Sequence, residues 1–280
     1  MPLPNFIIFG AVKSGTGALH QYLSHHPEIF TSPLKEPRFF VNDASISPHD
    51  REAAHSTSIT SLEEYSQCFD GATHEKAIGE ASSNYIYSGR AARRIKEVIP
   101  QVRLIASLRN PVDRAYAHYM MLKASRKKAV SEILTDGRNE SWAACSLYHE
   151  KLKPYFDIFR RDQVKVVIFE EWVVNTAEAL KEIYQFLGVD DSFEIASHIR
   201  YRPGVVTWPM ARKVGWVQEI KPYIPTRVLM TLNAIKAKVS PERHRLSPEA
   251  RREMVSWYHD DILKLQDLLH RDLSVWLEDG

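Results

Sequence analysis

The sequence predicts a three-layer α/β fold, a mostly parallel sheet flanked by helices. Short, almost wholly apolar runs recur along the chain: FIIF at Phe6–Phe9, VRLIASL at Val102–Leu108 and VKVVIFE at Val164–Glu170. Runs of this kind suit strands that are buried on both faces. Segments with helical periodicity separate them, and alternating strands and helices build a parallel sheet through crossover connections. No composition shift, repeat or low-complexity tract marks a boundary, so residues 1–280 are expected to form a single domain.

The elements follow in order. The strand Phe6–Phe9 ends at Gly10, and a helix is expected over Thr16–His25, with Leu19, Tyr22 and Leu23 on one face and Pro27 beyond it. Residues 42–61 are polar and aperiodic, with Pro48 and several serines, and read as a lid-like surface loop. A strand is expected near Ala77–Gly79 and a helix over Gly89–Val98. After VRLIASL, Asn110 is placed to cap a helix that starts at Pro111, with Asp113 in its favourable first turn. Residues 126–140 are charged and read as loop, Tyr148–Arg160 reads helical, and Thr176–Leu187 is an amphipathic helix stopped by Gly188. Pro203, Pro209, Pro222, Pro225 and Pro241 interrupt the region 190–248. Helical patterning resumes with Ser247 as cap and Pro248 as first residue, running to Leu269.

Composition narrows the function. Hydrophobic residues at 44% and charged residues at 26% are ordinary for a globular protein. A net charge of +2 gives no bulk attraction for nucleic acid, so an anion would have to be held by local placement of basic side chains. Cys68 and Cys145 lack metal-type spacing and read as reduced thiols rather than a disulfide framework. No basic leader precedes the first apolar run and no stretch reaches 18 apolar residues. The expectation is therefore a soluble cytoplasmic protein with no membrane partner.

The segment GAVKSGTGALHQYL, Gly10–Leu23, directly follows the first strand. A strand-to-helix turn points backbone N–H groups and the positive end of the helix dipole outward. Lys13 adds a full charge, Ser14 and Thr16 add hydroxyls, and Gly15 and Gly17 allow close approach of an anion. Lys13 precedes the second glycine, unlike the G-x-x-x-x-G-K-[ST] order of nucleotide triphosphatases. Arg109, at the end of VRLIASL, would emerge on the same sheet edge, where parallel sheets bind ligands, and its guanidinium suits a phosphate. The alternatives are a tight turn with a solvated lysine and a surface arginine paired with Asp113. KEPRFF, Lys35–Phe40, sets Glu36 among basic neighbours with Phe39 and Phe40 to pin it at a pocket wall, where it could take a proton from an attacking hydroxyl or amine. A charged loop anchored by its aromatics is the competing reading. His20, His25 and His26 read as solvated or capping, and Arg126-Lys127-Lys128 as a solvated loop that an anionic acceptor could use.

GAVKSGTGAL, KEPRFF, GEASSNY, RLIASLRNPVDRAYAHY and VVIFEEW…FLGV occur in an order and spacing that resembles the PAPS-dependent sulfotransferases, especially the branch of heparan sulfate N- and 3-O-sulfotransferases and their bacterial relatives. The resemblance covers residues 5–190 and the tail LSPEARREMVSWYHDDILKLQDLL. It implies a P-loop-like sulfotransferase fold, with 3′-phosphoadenosine 5′-phosphosulfate (PAPS) as donor, adenosine 3′,5′-bisphosphate as product and no metal. It also implies that Lys13, Ser14, Gly15, Thr16, Gly17 and Ala18 hold the 5′-phosphosulfate, with Lys13 near the bridging oxygen. Arg109 would hold the 3′-phosphate and Glu36 would be the base. Ser82 and Tyr148 fall at positions that touch donor or acceptor in such a scheme, with a core tyrosine at a helix start as the other reading of Tyr148, and Arg200 and Arg202 fall in a loop over the nucleotide. Three positions depart from the family. Gly17 replaces a threonine. Ala117 replaces a serine eight residues after the arginine, with His118 or Arg114 as stand-ins. Ala81 replaces a lysine after Glu80, with Lys35 or Arg38 as stand-ins.

The expected function is in-line transfer of a sulfuryl group to a hydroxyl or amine of a small-molecule natural product or a carbohydrate. Its acceptor pocket would be built from 42–61 and 200–245, with Trp208 and Trp216 as candidate walls. A nucleotide-triphosphate-dependent small-molecule kinase is one alternative. It would need lysine and a hydroxyl after the second glycine and an acidic magnesium residue at a strand end, where Arg109 stands. A non-catalytic anion-binding relative is the other.

Overall fold

The computed structural model describes residues 2–41, 59–126, 141–195 and 246–278. Residues 42–58 of the lid expected over 42–61 lie outside them, as do Lys127, Lys128, Arg200, Arg202, Trp208 and Trp216. The sheet and all the helices named below belong to a unit formed by Met1–Ile199 and Pro248–Gly280.

The chain opens with β1 (Phe6–Gly10), wholly buried, then α1 (Thr16–Leu23) and β2 (Ile29–Thr31). α2 (Leu62–Gln67) is capped by the Ser61 hydroxyl, which accepts from the Glu64 amide. It leads to β3 (Ala77–Ala81), a 3-10 turn at Tyr85–Tyr87 and α3 (Gly89–Val98), which the Ser88 hydroxyl caps. β4 (Arg103–Leu108) passes through Asn110, whose Oδ1 accepts from the Val112 and Asp113 amides, into α4 (Pro111–Arg126). The one-turn α5 (Ser141–Ala144) and α6 (Tyr148–Ile158) precede β5 (Val164–Ile168), the short α7 (Phe169–Trp172) and α8 (Thr176–Leu187). Gly188, at φ 71, ends α8 in the left-handed conformation that glycine adopts freely. α9 (Pro248–Leu269) and a 3-10 turn at Ser274–Trp276 close the described fold.

All strand pairs are parallel and the sheet order is β2-β3-β1-β4-β5. Connections leave β1 toward β2 on one side and cross from β3 to β4 on the other. Right-handed crossovers in opposite directions put α1 and α3 on opposite faces, which gives the three layers the sequence predicts. The strand order reverses between β1 and β4, and ligands of open parallel sheets bind at such a reversal, beyond the carboxyl ends of the strands. Among the described residues no helix is long and apolar enough to cross a membrane.

Some boundaries differ from expectation. α1 ends at Leu23 and α6 at Ile158, each two residues early, and apolar spacing alone does not show where a last turn frays. β2 has three residues, too few for a periodic signal. The run VKVVIFE stays extended only to Ile168. Phe169 and Glu170 enter α7, where Glu170 Oε1 accepts from the Asn110 amide at 2.9 Å and the Trp172 indole N–H donates to Ser107 Oγ at 2.9 Å. These bonds fold α7 back over the end of β4.

Candidate active site

The loop between β1 and α1 is fixed by its neighbours on one side and open on the other. The Ala11 amide donates to Ser107 O and the Val12 amide to the Tyr87 hydroxyl at 3.0 Å. Ser107 Oγ, which receives the Trp172 indole, donates in turn to Ser14 O at 2.6 Å. Gly15 sits at φ 83, and a Cβ there would lie 2.5 Å from the Trp172 ring, so only glycine fits. The amides of Lys13, Gly15, Thr16, Gly17 and Ala18 have no acceptor among the described residues, because the first bond of α1 runs from Leu19 to Gly15 O. The Ser14 hydroxyl is buried, with the Tyr148 hydroxyl as its polar neighbour. Lys13 holds left-handed backbone at φ 71. Burial first, and then the neighbouring Arg109 charge, push its ammonium pKa down, so an anion placed between the two cations would relieve both effects.

Arg109 emerges from β4 on the same edge, with Nη1 3.5 Å from Lys13 O and its guanidinium 5.2 Å from the centre of the Phe169 ring. Tyr148, fully buried, clamps the Arg109 main chain from both sides. Its hydroxyl donates to Arg109 O at 2.9 Å and accepts from the Arg109 amide at 3.4 Å. Arg114 is also fully buried, where its guanidinium donates to Ser146 Oγ at 2.5 Å and to Trp142 O. His118 Nδ1 lies 3.4 Å from Arg114 Nη1, and burial with the Arg114 and Lys13 charges holds its imidazole down to about 4, so it is neutral near pH 7. Of the two stand-ins for the missing serine, Arg114 is committed to tying α4 to α5.

The KEPR segment crosses the carboxyl end of β3. The Glu36 amide donates to Ala81 O, and its carboxylate accepts from the Ser83 hydroxyl at 2.6 Å and the Ser83 amide at 3.1 Å. Lys35 Nζ lies 3.2 Å and Arg38 Nε 3.7 Å from the same carboxylate. Ser82 is fully buried and its Oγ accepts from the Arg38 amide at 3.1 Å, so it braces the segment from beneath. Phe39 stacks on Tyr65 with ring centres 4.6 Å apart, and Phe40 is wholly buried, which gives the aromatic anchoring the sequence predicts. Glu80, also wholly buried, accepts from the Tyr65 hydroxyl at 3.3 Å, and burial raises its pKa to about 8.

Lys13 to Ala18, Arg109, Glu36 and Arg38 therefore gather at the carboxyl ends of β1, β3 and β4. Ser82 and Tyr148 lie directly beneath, with their hydroxyls engaged by main chain. His26 is buried and bonds Asp190 O, His20 is half-buried and bonds Ser32 O, and His25 bonds Gln21 O. Ser83, Ser107, Tyr87, Glu170 and Trp172 escaped sequence reasoning. Ser83 lies in GEASSNY, Ser107 in RLIASLRNPVDRAYAHY and Glu170 and Trp172 in VVIFEEW, while Tyr87 lies in none of these motifs; the partners of all five lie far away in the chain. No group of three or more His, Cys, Asp and Glu among the described residues is placed to hold a metal.

The family model described as Sulfotransferase family matches residues 4–193. A crystal structure of a sulfotransferase from Alicyclobacillus acidocaldarius superposes with a TM-score of 0.74 at 30% identity, covering 99% of this chain and 100% of that one. The bifunctional heparan sulfate N-deacetylase/N-sulfotransferase 4 of Mus musculus is 24% identical over 98% of this chain and 31% of its own length. The membrane-associated sulfotransferase kil1 of Dictyostelium discoideum is 37% identical over 55% of this chain and 32% of its own. The chain thus spans about a third of the length of these curated relatives.

Proposed function

The chain belongs to the sulfotransferase family, and from that premise we propose that it transfers a sulfuryl group from PAPS to a hydroxyl or amine of a small-molecule or carbohydrate acceptor. The observation that carries this reading is the cradle at the strand reversal: free amides from Lys13 and from Gly15 to Ala18, a buried Ser14 hydroxyl, and Lys13 and Arg109 on one edge. The cradle consists wholly of donors and cations, which suits a ligand with an anionic group at each end. The donor supplies a sulfuryl group on a bridging oxygen; transfer breaks that S–O bond, leaves its electron pair on adenosine 3′,5′-bisphosphate and joins sulfur to the acceptor oxygen or nitrogen.

The protein's part is positioning and charge. Lys13 and the free amides stabilise negative charge where the bridging oxygen would sit, without the reorganisation that water would need. Arg109 offers a two-pronged grip for the 3′-phosphate and is oriented by Tyr148 and Phe169. Glu36, aimed by Ser83, accepts the proton that the acceptor loses. An acceptor amine or hydroxyl on a sugar accords with the heparan sulfate named in the mouse relative; a small natural product is the other class.

The test is thermal unfolding with adenosine 3′,5′-bisphosphate in the absence of magnesium, followed by a mass-shift screen with PAPS over amines, alcohols and sugars. The bisphosphate should raise the melting temperature, because it binds only the folded state, and at least one acceptor should gain the mass of a sulfuryl group. Stabilisation by ATP with magnesium, and none by the bisphosphate, would overturn the assignment in favour of phosphoryl transfer.

A further inference from the structure

A second lysine faces the cradle from the opposite wall. Lys35 Nζ lies 3.2 Å from Glu36 Oε1 and 3.9 Å from the point a Cβ would occupy on Gly17. Gly17 is the second residue of α1 and keeps a free amide. A bare Cα there leaves the ammonium a path to the open end of the helix, and a branched side chain would fill that path. The Lys35–Glu36 pair is partly exposed, at 38% and 21% of the two side chains, and such pairs hold together by about 1 kcal/mol or less. The lysine stem is flexible and its three donors rotate freely. His20, one turn further along α1, adds no competing charge near pH 7, because burial and the Lys35 ammonium hold its imidazole down to about 4.

We propose that Lys35 is a catalytic cation that turns from the Glu36 carboxylate to the sulfuryl oxygens as transfer proceeds. The inference rests on the sulfotransfer reading and deepens it. While Glu36 is ionised, it holds Lys35 beside the cradle. As the acceptor's O–H or N–H bond gives its electron pair to sulfur, the proton moves to Glu36 and cancels the charge that held Lys35. The ammonium is then released toward the sulfuryl group at the moment the old S–O bond yields its pair to the bisphosphate. Proton transfer and charge stabilisation become one event, and no further reactant is needed.

The decisive experiment reads turnover beside nucleotide binding. Stabilisation by PAPS and by adenosine 3′,5′-bisphosphate is compared in the wild type, Lys35→Met and Lys35→Arg, alongside turnover with whichever acceptor the screen finds. Because Lys35 stays with Glu36 until the proton arrives, Lys35→Met should keep the melting shifts given by both nucleotides and lower kcat about a hundredfold. Lys35→Arg should restore part of kcat. In the Glu36→Gln background, where no carboxylate is left to aim, Lys35→Met should lower the residual turnover further. A residue that merely aims Glu36 would lower kcat in the wild-type background and change nothing once Glu36→Gln has removed the carboxylate, and that result overturns the proposal. If the wild type is stabilised by neither nucleotide, the sulfotransfer reading itself fails, which separates the two outcomes.

Discussion

Three residues of the site hold backbone that a glycine would adopt more easily: Lys13 at φ 71, Glu36 at φ 61 and Arg38 at φ 58. Each costs on the order of 1 kcal/mol, and a fold keeps such residues only where surrounding bonds over-determine them. For the KEPR segment those bonds are Glu36 N–H to Ala81 O, Arg38 N–H to Ser82 Oγ, and the two donors of Ser83 on the carboxylate. Ser83→Ala removes the 2.6 Å hydroxyl bond and leaves the amide bond, so the carboxylate can swing. The expected result is a fall in kcat of about tenfold with little change in the KM for PAPS, read from steady-state kinetics. Glu36→Gln should abolish most turnover at every pH while melting temperature and bisphosphate binding stay near wild type. Lys13→Ala should cost kcat roughly a hundredfold or more, because it removes charge where charge develops.

At the scale of elements, the anion loop owes its shape to β4 and α7. The Trp172 indole donates to Ser107 Oγ, which donates to Ser14 O, and the Trp172 ring also bars any side chain at Gly15. Trp172→Phe keeps most of the ring and removes the first bond of this relay. It should lower stability by about 1 kcal/mol and weaken bisphosphate binding several-fold, although residue 172 lies behind the loop. Denaturant midpoints and calorimetric titration measure the two effects. This tier marks the limit of what the sequence discloses. Lys13, Glu36 and Arg109 could be picked out because charge, glycines and strand ends coincide locally. The strands β1, β4 and β5 were legible from apolar runs, and α8 from its period and Gly188. β2 is too short to show a period, and α7 hides inside what reads as the last residues of β5. The supports Ser107, Tyr87 and Trp172 act across 65 to 93 positions of chain, a separation that no local pattern encodes.

Over the whole molecule, Glu80 links the stability of the fold to the condition of the site. It sits on β3 with no exposed surface, receives the Tyr65 hydroxyl from α2, and has the hydroxyls of Ser82 and Tyr85 beside it. Those same residues brace the KEPR segment, through Ser82 Oγ to the Arg38 amide and the Tyr85 hydroxyl to the Phe40 amide. Burial raises the carboxyl pKa from 4.5 to about 8, with only partial relief from its hydroxyl donors. The folded state therefore holds a proton on Glu80 that the unfolded chain releases above pH 4.5. Below that pH the residue costs nothing. As pH rises toward 8, the unfolded chain gains by ionising while the fold does not, and above 8 the loss levels off because Glu80 ionises in both states. The accumulated cost by pH 8 is on the order of 4 kcal/mol. Glu80→Gln keeps the shape and cannot ionise, so the difference between wild-type and Glu80→Gln unfolding free energies isolates this one group from titrations common to both. Urea unfolding from pH 5 to 9 should show the wild type losing stability relative to the variant, most steeply between pH 5 and 8. A flat difference would mean that Glu80 is charged in the fold, and would remove the neutral carboxyl from beneath the KEPR segment.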